Sequence, residues 1–101
     1  MSEVQGTAAD GFGPVTDLLA ANLADGTDVG ASLCVIRDGE IVLDLWGGVA
    51  DVDTGRPWRR DTIVHTYSIT KTMATLVVMR LVDQGVLDVT APVARYWPEF
   101  A

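Results

Sequence analysis

The chain has 101 residues, seven basic against fourteen acidic, with a formal net charge of -7, which is the size of one small domain or of a piece of a larger one. Its only basic concentration is the interrupted run of Arg56, Arg59 and Arg60, so an acidic chain of this kind excludes nucleic acid and an anionic membrane surface as natural partners. A single cysteine, Cys34, and a single histidine, His65, exclude an internal disulfide and the usual zinc sites. The apolar neighbours Leu33, Val35 and Ile36 predict a buried, inert thiol at Cys34.

Residues 1–11 read as a flexible lead-in. They are small, polar and acidic in balance, with no basic n-region and no apolar h-region, so no signal peptide is predicted. No apolar run approaches the ~20 residues that cross a bilayer. The expectation is a soluble, cytoplasmic protein. Val15, Leu18, Leu19 and Leu23 fall near helical spacing, with Pro14 early and Gly26 beyond the end, which predicts an amphipathic helix over about 13–24.

Two strand-like runs follow, separated by Asp38-Gly39, a strong two-residue hairpin signal. They predict an antiparallel hairpin over about 30–46. In its second strand Ile41, Leu43 and Leu45 face one way, and Val42, Asp44 and Trp46 the other. Gly47-Gly48 then permits a bulge or the close approach of another backbone. Asp44 and Asp61 read as ion-pair or capping groups, and Trp46, Trp58 and Trp97 as packing residues.

A short extended segment, Ile63-Val64-His65-Thr66-Tyr67, leads into Ser68. From there the pattern is helical over about 69–84, with Gly85 as its C-terminal stop. Apolar residues occupy nearly every side of this helix, which predicts a place in the interior of a sizeable protein. A 101-residue chain with one hairpin cannot surround such a helix, so the chain reads as incomplete at its C-terminus. Val86-Leu87-Asp88-Val89 is a linker or short strand, and Thr90 to Trp97 a short helix with Pro92 in its first turn and Pro98 as its stop.

Lys71 is the only lysine, and it stands three residues after Ser68 at the start of the apolar helix. Residues three apart on a helix share a face. A serine hydroxyl becomes a good nucleophile when a neighbouring base removes its proton. A lysine one turn away is such a base once its ammonium is discharged, which burial and the positive end of the helix dipole both favour. The same spacing also fits a serine capping the helix and a lysine whose stem lies along it. Spacing alone leaves both open.

The order of features is more specific. A helix, a hairpin ending in Trp-Gly-Gly, the Tyr67-Ser68-Ile69-Thr70-Lys71-Thr72 run and the stretch from Leu87-Asp88 to Pro98 together resemble the N-terminal part of the serine beta-lactamase-like family, close to class C beta-lactamases, carboxylesterases and D-amino-acid peptidases. The resemblance covers about 15–100. It implies an α+β fold in which an antiparallel sheet packs with helices, and a domain from residue 12 onward that is the first part of a longer hydrolase.

It also implies that Ser68 is acylated, that Lys71 takes its proton or shares it with a tyrosine, and that the Ser68 backbone N–H supplies half of an oxyanion hole. Substrates of the resembled family are small esters, beta-lactams or D-amino-acid amides, and no metal or organic cofactor takes part. The family's later Tyr-x-Asn or Tyr-x-Ser element and its Lys-Thr-Gly-like or His-x-Gly-like strand have no match in this sequence. Tyr67 and Tyr96 lie outside that context and read as packing residues, and His65, on an extended segment, as structural. Two alternatives stand beside the hydrolase: a non-catalytic homologue that pairs with another chain, and a small binding module in which Ser68 merely caps.

Overall fold

The computed structural model describes residues 3–101. Contacts divide the chain into two compact units, Met1–Ile63 and Val64–Ala101.

The first unit is an antiparallel sheet with one helix packed on it. Its elements are β1 (Gln5–Ala8), α1 (Gly13–Asp25), β2 (Gly30–Arg37), β3 (Glu40–Asp51) and the two-residue β4 (Arg56–Pro57). Strand β3 is central. It pairs with β2 along one edge and β1 along the other, and its end at Val49 and Asp51 pairs with β4. The hairpin turns where the sequence places it. Asp38 and Gly39 both have positive φ, 55° and 83°, the backbone of the tight turn that matches strand twist and that glycine adopts at least cost.

The residues expected to form a flexible lead-in contribute β1 instead. Gln5, Gly6, Thr7 and Ala8 pair with Trp46, Leu45, Asp44 and Leu43, and the Ala9 N–H continues the ladder to the Val42 carbonyl at 2.9 Å. The segment lacks apolar alternation because all four of its residues are exposed. Backbone hydrogen bonds to a strand far along the chain hold it.

Helix α1 runs one residue past its expected end and stops at Gly26 in the left-handed conformation. Leu19 and Leu23 close on Leu43 and Leu45 of β3 to form the core, with Val4, Phe12, Val15, Ala31 and Val35 around it. Leu18, grouped with the apolar face in the sequence, is 63% exposed. The core face is narrower than the apolar pattern. At the far end of β3 the backbone approach is close: a Cβ on Gly48 (φ 85°) would lie 2.3 Å from the Val29 carbonyl oxygen. Only glycine fits there.

Cys34, expected to be buried, is exposed. Its register partner is Asp44, which places it on the face of the sheet opposite α1. Arg60 reaches over that face to Asp44, and Cys34 beside it stays exposed.

The second unit begins with a 3₁₀ turn, Tyr67–Ile69, that leads into helix α2 (Thr70–Asp83). Helix α2 ends in a Schellman motif: the Val86 N–H reaches the Leu81 carbonyl at 2.9 Å, the Gly85 N–H reaches that of Val82 at 2.9 Å, and Gly85 has φ 71°. Expected as a buried helix, α2 has no buried residue within the chain. Met73, Leu76 and Val77 are each more than half exposed. The expected helix over Thr90 to Trp97 is reduced to a 3₁₀ turn, Val93–Arg95, and Pro98 opens a further such turn, Pro98–Phe100, where a stop was expected.

The linker ahead of these turns is organised by Asp88. Its Oδ1 accepts the Thr90 N–H at 2.9 Å and the Thr90 hydroxyl at 2.7 Å, and its own N–H donates to the Tyr96 hydroxyl at 2.7 Å. The Thr90 hydroxyl, then the Thr90 N–H, hold the Asp88 carboxyl below its ordinary value.

Two outcomes are expected. Truncating Leu43 to alanine removes a side chain that is 2% exposed, and should destabilise the first unit by about 2–5 kcal/mol in denaturant unfolding. An undiminished midpoint would mean that the Leu19–Leu23–Leu43–Leu45 cluster is not its core. Because the folded Asp88 value lies below the unfolded one, its contribution to stability is present above the unfolded pKa and is lost as pH falls through the folded pKa. An NMR titration should place the Asp88 midpoint below 3.8, and Thr90→Val should raise it.

Candidate active site

The Ser-x-x-Lys pair lies across the junction between the 3₁₀ turn and α2. Ser68 occupies the turn and Lys71 the first turn of the helix. The Lys71 Nζ donates to the Ser68 Oγ at 3.2 Å, so the two functional atoms are in direct contact.

This contact bears on the readings that spacing left open. A capping serine accepts a hydrogen bond from a backbone N–H in the first helical turn. The residues in the capping positions are Thr66 for the 3₁₀ turn and Ile69 for α2, and neither makes a side-chain cap. The partner found for the Ser68 hydroxyl is an amine. The environment differs from expectation in one respect: Lys71, expected to be buried, is exposed, as is Ser68.

The backbone immediately before Ser68 is unusual. Tyr67 has φ 47°, in the left-handed region where a bulky side chain is rare. Such a residue costs on the order of 1–3 kcal/mol. The turn is held from both sides: the Ile69 N–H reaches the Thr66 carbonyl at 3.1 Å, and the Thr70 N–H is directed at the carbonyls of Ser68 and Tyr67. The ring of His65 stacks on that of Tyr67, with centroids 4.3 Å apart and planes 21° from parallel. The sequence reads Tyr67 as a packing residue and His65 as structural. Neither the torsion nor the stack has a sequence signal beyond the presence of two rings two residues apart.

Other candidate groups take structural parts. Asp44 forms the expected ion pair, its Oδ2 lying 2.7 Å from an Arg60 guanidinium nitrogen. The Trp46 indole N–H donates to the Gln5 Oε1 at 3.0 Å and so ties β1 to β3. Trp97 lies beside Phe100, with ring centroids 5.5 Å apart. An apolar groove of about 300 Å³ runs along Leu87, Val89, Val93 and Trp97. Among the described residues no group of three or more His, Cys, Asp or Glu side chains comes together, and no helix is long and apolar enough to cross a membrane.

Comparison with known proteins settles the family. The family model described as Beta-lactamase matches residues 15–101. The chain belongs to the beta-lactamase family. This beta-lactamase-family chain is similar to the esterase/beta-lactamase LipL of Mycobacterium tuberculosis, with 45% identity over 71 residues, 70% of this chain and 17% of that protein. It is similar to the esterase EstB of Burkholderia gladioli, with 47% identity over 72 residues, 71% of this chain and 18% of that protein. Among solved structures it is similar to a family VIII carboxylesterase, with a TM-score of 0.90 and 56% identity over 98% of this chain and 27% of that one. The chain therefore spans less than a fifth of the length of these curated relatives. The α+β architecture expected of an N-terminal part of the beta-lactamase-like fold is the one found.

Proposed function

We propose that the protein is a serine hydrolase that cleaves small esters, or amides including beta-lactams, through an acyl-enzyme on Ser68. The observation that carries this reading is the 3.2 Å contact between the only lysine of the chain and the Ser68 hydroxyl, in a chain whose family includes esterases.

In this reading Lys71 acts as its neutral amine. The Ser68 Oγ attacks the carbonyl carbon and its proton passes to the Lys71 Nζ. The carbonyl oxygen takes up the negative charge, and the Ser68 backbone N–H is one of its donors. As the intermediate collapses, the C–O or C–N bond breaks and that proton passes to the leaving oxygen or nitrogen; an alcohol or amine departs, or in a beta-lactam the opened ring keeps its nitrogen, and the acyl group stays on Ser68. Water then releases the acid and restores the hydroxyl. The names of the relatives favour an ester as the substrate.

The same reading assigns the second proton carrier and the other oxyanion donor to groups outside this chain, either a further part of the protein or a second chain. Each such group commonly contributes ~10²–10⁴-fold to rate, so the segment by itself is expected to be weakly active or inactive. The exposure of Met73, Leu76 and Val77 on α2 supports this need for a covering structure. It equally favours the second reading, a non-catalytic homologue that uses this face to pair with another chain.

A fluorophosphonate probe should label Ser68, identified by peptide mass spectrometry, and Lys71→Ala should slow that labelling by ~10²-fold or more. No labelling of the intact protein would favour the non-catalytic homologue. Labelling at an unchanged rate in the Lys71→Ala variant would remove the lysine from the mechanism.

A further inference from the structure

We draw no further inference here: the strongest candidate, the apolar groove along Leu87, Val89, Val93 and Trp97 in the second unit, is open within this segment, and nothing in the structure shows what covers it.

Discussion

Strand β3 carries the first unit. Its two edges give hydrogen bonds to β2 and β1, its end gives them to β4, and its inward side chains Leu43 and Leu45 meet Leu19 and Leu23 of α1. Because side chains alternate along a strand, one register places the two leucines under the helix and Asp44 and Trp46 on the other face. Asp44 then pairs with Arg60, and Trp46 reaches Gln5. Two features of the sequence make this arrangement possible. Asp38-Gly39 returns the chain antiparallel within two residues, and the glycine at position 48 lets the backbone at Val29 come closer than any side chain would permit.

The second unit is organised by local hydrogen bonds rather than by a core. It holds no buried side chain within the chain. Its order comes from local backbone hydrogen bonds: the 3₁₀ turn that contains Ser68, the Schellman motif at the end of α2, and the turn that Asp88 closes with Thr90. Each uses donors and acceptors a few residues apart, so none depends on distant packing. The apolar stripe of α2 does, and it lies open. A beta-lactamase-family segment that aligns with under a fifth of its curated relatives thus shows a formed Ser68–Lys71 pair beside apolar surface that is uncovered within the chain.

That contrast separates what local geometry places from what packing provides. A serine and a lysine three residues apart at a helix start are brought together by local geometry, and the 3.2 Å contact between Ser68 and Lys71 forms within this segment. Burial is a collective property and needs many residues on all sides. Here the pair is formed and exposed. Bringing the two side chains together and covering them are separate tasks, and the second is not done by the residues of this segment.

The sequence by itself determined the features whose cause is local. The hairpin at Asp38-Gly39, the helix stops at Gly26 and Gly85, the alternation of Leu43 and Leu45 against Asp44, and the Ser68–Lys71 spacing all follow from the conformational preferences of single residues or from a fixed period. Tertiary structure decided the rest. Residues 5–8 became a strand because β3, some forty residues on, offered an unpaired edge. Their own side chains carry no such pattern. Cys34 fell on the face opposite α1 because register and not hydrophobicity chose its side, and Leu18 turned outward because one helix on one sheet face buries a narrower stripe than its apolar pattern offers. The left-handed Tyr67 runs against its residue's own preference. A conformation of that kind exists only where surrounding contacts impose it, and so it cannot be read from residue preferences alone.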